Sequence, residues 1–143
     1  SPEPALRRET PRLKFQTPMK SVATESPKAY DLEARTYAFA LQCRHFLKEQ
    51  TWHPVSWSDV RQVLRSSGSV AANFVEANEA ISNDDFLYRI RLCKKEAKES
   101  GLWLRLLDDC NSLSIDSKNM ISQLSNETTE FVKIFATIIR NRS

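Results

Sequence analysis

The chain has 143 residues, 41% hydrophobic and 27% charged, with a formal net charge of +3 and only two glycines. Gly68 and Gly101 stand 33 residues apart, which excludes a dinucleotide-binding G-x-G-x-x-G, a phosphate-binding G-x-x-x-x-G-K-[ST] and a G-x-S-x-G nucleophile elbow, each of which needs closely spaced glycines. With so few turn glycines and long Ala/Leu/Lys/Glu stretches, the chain reads as all-α.

Residues 1–28 hold five of the six prolines (Pro2, Pro4, Pro11, Pro18, Pro27) and show no apolar periodicity. They predict a tail, extended or disordered when alone. Six of its residues are basic and three acidic, so the remaining 115 residues balance at 15 and 15 and all of the net charge lies in the tail. It reads either as a solubilising leader or as a segment that docks on a protein partner through Leu13 and Phe15. Its basic residues flank no apolar core, which argues against a secretory leader and for a cytoplasmic protein. Residues 29–143 form the folded domain.

Four helices are predicted there. The first runs from an N-cap at Asp31 to about Glu49, with Leu32, Phe39, Cys43 and Phe46 on one side and Ala34, Ala38 and Leu41 beside them, and it is broken by Trp52-His53-Pro54. The second starts at Ser56 or Ser58, where Ser56-Trp57-Ser58-Asp59 fits a capping box, and runs to about Ile81. A third follows the box Ser82-Asn83-Asp84-Asp85 and continues to about Asp108. Beyond a loop at Cys110 to Ser114, the fourth spans about Asp116 to Ile139, with Ile121, Leu124, Thr128, Phe131, Phe135 and Ile138 repeating at three and four. Four such helices on short loops imply an antiparallel up-and-down bundle. No apolar run of about 18 residues is present to span a membrane. Cys43, Cys93 and Cys110 lack C-x-x-C spacing and predict reduced thiols.

At 100° per residue, Phe86, Ile90, Cys93, Ala97, Leu104 and Leu107 share one face of the third helix. Arg91, Lys94, Lys95, Lys98 and Arg105 fall in a stripe roughly opposite. This is either a solvated face, with Lys95 and Glu99 as an i,i+4 pair, or a track for a phosphate backbone. Arg44, Lys48 and Arg61, with Arg7, Arg8 and Arg12 of the tail, are weaker additions to a phosphate-binding set. On the second helix, Val60, Val63, Leu64, Ser67, Ala71, Phe74 and Asn78 make the core side. Arg65, Ser69, Ala72, Asn73 and Glu76 form a small, polar stripe on the far side. The stripe reads as a lightly loaded exposed face or as a subunit interface, and Gly68 beside it costs up to about 1 kcal/mol in a helix interior, which something must offset.

No catalytic residue is expected. Only His45 and His53 are available as imidazoles. The Arg-x4-6-His pattern of helical ribonucleases of the HEPN type is absent: Ala38, Phe39 and Ala40 precede His45 at the required positions, and Phe46, Leu47 and Lys48 precede His53. No Glu-x-x-His pair for a di-iron centre exists. Cys43 and His45 lie on different faces of their helix, so neither a metal nor another cofactor is expected. Trp52 and Trp57 read as a hydrophobic clasp at the first turn between helices, and Trp103 as packing.

The string Ser67-Gly68-Ser69-Val70-Ala71-Ala72-Asn73-Phe74-Val75-Glu76-Ala77-Asn78-Glu79-Ala80, then Asp85-Phe86, then Lys95-Glu96-Ala97-Lys98-Glu99-Ser100-Gly101-Leu102-Trp103-Leu104-Arg105-Leu106-Leu107, resembles the four-helix-bundle family of 23S rRNA intervening-sequence proteins. Tyr30-Asp31-Leu32-Glu33 and Arg35-Thr36-Tyr37-Ala38-Phe39-Ala40 look like that family's opening helix. The resemblance covers about residues 30 to 140. It implies a homopentameric ring, and it extends distantly to the accessory protein of diversity-generating retroelements, a basic pentamer that binds nucleic acid and a reverse transcriptase. The expectation is therefore a non-enzymatic, ring-forming bundle that binds RNA or an RNA-handling protein. The alternative is a protein-interaction scaffold whose ring presents its N-terminal tails. Unlike that basic relative, the bundle here is charge-neutral, so its non-specific affinity for nucleic acid is expected to be weak unless the tail contributes.

Overall fold

The computed structural model describes residues 29–143, so the tail with Leu13 and Phe15 lies outside the described residues. Four helices follow one another: α1 (Ala29–Lys48), α2 (Trp57–Asn78), α3 (Asn83–Cys110) and α4 (Ile115–Arg142), with a single 3-10 turn at Pro54–Ser56 leading into α2. Each helix packs on its chain neighbours, and α4 closes on α1. The registers run antiparallel. Asn78 meets Glu33 and Ser67 meets Arg44 across α1 and α2. Asn83 meets Arg142, and Asp108 meets Lys118, across α3 and α4. The all-α antiparallel bundle expected from periodicity is the observed architecture.

Helix ends follow capping chemistry with one exception. Ser82 accepts a hydrogen bond from the Asp85 amide at 3.0 Å and Ser114 one from the Ser117 amide at 3.2 Å, so both helices start on a side-chain cap. The predicted box at Ser56 does not form. Ser56 is buried, its side chain makes no cap, and its hydroxyl accepts from Asn111 Nδ2 at 3.0 Å, tying the α1–α2 connection to the α3–α4 connection. His53 serves at the start of the 3-10 turn instead, accepting from the Val55 amide through Nδ1. Trp52 closes this end of the bundle: its ring stands edge-on to Phe46 and its indole N–H donates to Leu47 O. Trp57 stays exposed. α1 begins two residues before Asp31, which therefore sits within the helix, and α2 ends three residues short of Ile81.

The core is a column of aromatic and aliphatic side chains. Phe39, Phe74, Phe131 and Phe135 are buried at its centre, with Phe39 edge-on to Phe131 and Phe131 stacked on Phe135. On α3 and α4 the predicted faces hold, apart from Phe86 and Ile138, which are only half-buried. The α2 face is rotated. Val63, Ser66, Ser67, Val70, Phe74 and Ala77 are the buried residues, which turns the core side by roughly 60° at 100° per residue and leaves Asn78 exposed. The cause is α3. Ser66 of α2 meets Ser100 of α3, and Cys93 Sγ donates to Val70 O at 3.6 Å. Ser100 donates to Ser66 Oγ and Ser66 donates to Gln62 O, both at 2.7 Å, so the buried hydroxyls are satisfied in series.

Candidate nucleic-acid interface

The outer and α4-facing sides of α3 carry the basic stripe. Arg91, Lys94, Lys95 and Lys98, with Glu99 and with Ile139 from α4, line one groove between the two helices. Lys98 also opens a second groove further along the seam, of about 660 Å³, where Gly101, Leu102 and Arg105 of α3 face Ser122, Ser125, Thr129, Val132 and Lys133 of α4. A Cβ at Gly101 would lie 2.8 Å from Thr128 Oγ1, so the glycine is what allows α3 to settle this deeply against α4.

Charge pairing separates the first groove of this seam from the rest of the bundle. Arg65 of α2 takes both nearby α3 carboxylates, Glu96 at 3.1 Å and Glu99 at 2.8 Å. The Lys95–Glu99 pair expected from spacing is therefore not formed. Lys118 holds Asp108 at 2.7 Å, Arg35 holds Glu127, and Arg105 keeps only a 4.0 Å approach to Asp109 at an exposed position. Among the described residues, Arg91, Lys94, Lys95 and Lys98 have no hydrogen-bond or ion-pair partner. A formally neutral bundle thus presents a local excess of positive charge along one seam.

The weaker phosphate candidates divide. Lys48 and Arg61 are exposed, away from the groove. Arg44 is drawn inward: its guanidinium donates to Ala40 O, Leu64 O and Ser67 Oγ. Gly68 belongs to this contact, because a Cβ there would stand 3.0 Å from Arg44 Nη2. Gly68 thus leaves room for the Arg44 guanidinium of the same chain.

The α2 stripe also divides. Arg65 is committed to α3, and Asn73 donates to Ser69 O at 2.9 Å while accepting from Arg89 at 3.3 Å, so both serve the α2–α3 seam. Ala72 and Glu76 are exposed on the outer surface. The Glu33–Asn78 hydrogen bond sets the register that brings Tyr37 of α1, 64% exposed, level with the turn of α2 carrying Val75, 46% exposed. The apolar part of this outer surface is therefore larger than the spacing on α2 alone indicates.

Sequence reasoning misses the α4 wall of the groove and the buried Arg35–Glu127 pair, whose partners are 92 residues apart. The i, i+3 spacing of Ser122 and Ser125 is legible in the sequence, but nothing local says that it faces α3. Burial raises the Cys43 and Cys93 thiols to about 12 from an ordinary 9.0, against the lowering effects of a hydrogen bond with Ser67 and the Arg44 charge at Cys43, and of a backbone hydrogen bond and the Arg89 charge at Cys93. Both stay neutral at physiological pH and supply no nucleophile. Among the described residues, no three His, Cys, Asp or Glu side chains converge as metal ligands, and no helix is long and apolar enough to cross a membrane.

The family described as 23S rRNA-intervening sequence protein matches residues 28–136. Among solved structures, a protein of unknown function from the S23 ribosomal protein family of Bacteroides thetaiotaomicron VPI-5482 is similar, at 27% identity and a TM-score of 0.69, covering 80% of this chain and 99% of that one. No curated protein matches.

Proposed function

The chain belongs to the family of 23S rRNA-intervening sequence proteins, and from that premise we propose that it is a non-enzymatic bundle that binds RNA through the seam between α3 and α4. The observation that carries this reading is the set of four neighbouring cations, Arg91, Lys94, Lys95 and Lys98, left without partners while the carboxylates around them are paired with other residues. A solvated stripe serving only solubility has no need of this sorting. Neutralising phosphates releases counterions, so affinity falls linearly with salt on logarithmic axes, with a slope of about −3 for four contacts to a single strand. Lys94→Glu with Lys98→Glu should weaken RNA binding at least tenfold, roughly, and bring the slope to about −1.5. Unchanged affinity and slope would remove the seam from consideration and shift the reading to a scaffold that works through its tail.

We further propose that the protein acts as a homo-oligomer, the pentameric ring that the family resemblance implies, with the outer surface around Ala72 and Glu76 as the contact. Its support is the exposure of small and apolar groups there, Ala72, Val75 and Tyr37. An arginine at position 72 adds bulk and charge without touching the core. Ala72→Arg should therefore give a folded monomer by light scattering, whereas an oligomer of wild-type mass would place the contact elsewhere.

A further inference from the structure

The second groove of the α3–α4 seam has walls of different chemistry. The α3 wall supplies charge, from Lys98, Arg105 and Asp108; the α4 wall supplies hydroxyls, from Ser122, Ser125 and Thr129, beside Lys133. These hydroxyls are not equivalent. Thr128 and Thr129 donate back to Ser125 O at 2.6 and 3.3 Å, as hydroxyls within helices commonly do. Among the described residues, Ser122 Oγ and Ser125 Oγ have no partner, and both line the groove.

We infer that the α4 wall reads ribose: Ser122 and Ser125 hydrogen-bond the 2′-hydroxyls of an RNA strand whose phosphates lie along Lys98 and Arg105. This rests on the RNA-binding reading above and names what the seam recognises beyond charge. A hydroxyl both donates and accepts, and so does the 2′-hydroxyl, which is the group that distinguishes RNA from DNA at a given site. Ser122 and Ser125 are three residues apart on one helix face, a rise of about 4.5 Å. Asp108, the acid that lines this groove, is held by Lys118 at 2.7 Å, so its charge is matched within the fold. A deoxyribose strand would satisfy the cations equally well and leave both serines to water.

The test compares oligo(U) with oligo(dU) on the full chain at one salt concentration, for the wild-type protein and for Ser122→Ala with Ser125→Ala. Alanine is the best helix former, and both serines are at least partly exposed, so the variant keeps the fold. Two hydrogen bonds of ordinary net worth predict about a fivefold to 150-fold preference of the wild type for oligo(U). The variant should lose that preference by weakening on oligo(U) alone, with oligo(dU) affinity and salt slope unchanged. Equal wild-type affinity for the two strands would overturn ribose recognition while leaving phosphate binding in place. A preference that survives in the variant would overturn the assignment to these serines. Failure to bind either strand would overturn both readings together.

Discussion

Helix α4 forms two seams, and the cations of one are buried and paired while four cations along the other are not. On the α1 side Arg35 and Glu127 are 3% and 6% exposed and meet through two hydrogen bonds of 2.7 and 2.6 Å, with the guanidinium also lying 5.3 Å from the centre of the Phe131 ring. On the α3 side, Arg91, Lys95 and Lys98 are exposed, Lys94 is half-buried, and none has a partner among the described residues. A charge removed from water must be matched by an opposite charge and hydrogen bonds, whereas a hydrated one need not be. Pairing status therefore separates a cation that belongs to the fold from one available to a ligand, although both seams use the same residue types.

The largest effect that would break this comparison lies at the buried pair. Glu127→Ala leaves the Arg35 guanidinium uncompensated in the core and should cost about 3–5 kcal/mol, read as a fall in the urea midpoint. Arg35→Met combined with Glu127→Leu removes both charges and should recover most of that loss. If the single variant were as stable as the wild type, water would have to reach Arg35, and the two seams would not differ as described. A smaller effect belongs to the floor of the α3–α4 seam. Gly101→Ala places a Cβ 2.8 Å from Thr128 Oγ1, and Thr128 is buried with its hydroxyl held by Ser125 O. Overpacking of about 1–3 kcal/mol outweighs the roughly 1 kcal/mol that alanine gains in helix propensity. The cost should shrink when Thr128→Ala is already present, and an unchanged cost would locate the clash elsewhere.

What the sequence made legible follows from what is local. Helix existence, the core faces of α3 and α4 and the cap at Ser82 depend on residues within a few turns of one another, and the structure matches them; the cap at Ser114 falls where the sequence reads as loop. The α2 face depends on which neighbour approaches most closely, and the buried Ser66–Ser100 contact with α3 decides that. Hydrophobicity ranks Leu64 and Ala71 above Ser66 as core residues, so periodicity alone turned α2 the wrong way. Gly68 was legible as costly, but its use by Arg44 of α1 was not. Arg35 and Glu127 each look like ordinary helix-surface charges until the bundle closes and brings α1 against α4. The stripe on α3 was visible as a stripe. That its carboxylate neighbours are paired elsewhere follows from Arg65 on α2 and Lys118 on α4, which no spacing on α3 contains.

The smallest expected effect sharpens the comparison most. Lys94→Glu with Lys98→Glu, the variant expected to weaken RNA binding, should change folding stability by no more than about 0.5 kcal/mol, as exposed substitutions away from partners do. Lys98 is exposed, and neither lysine gives up an ion pair within the fold. Lys94 is half-buried beside Ile139, so the stem it lays along the groove is the one source of lost packing. A Lys94→Met control retains an apolar stem while removing the charge, and it should keep wild-type stability and still flatten the salt slope. Were Lys94→Met to lose stability by more than about 1 kcal/mol, its ammonium would be holding α3 to α4. The cations of this seam would then belong to the fold, as Arg35 does. Binding that weakens in a variant of unchanged stability is the result that sets the two sides of α4 apart.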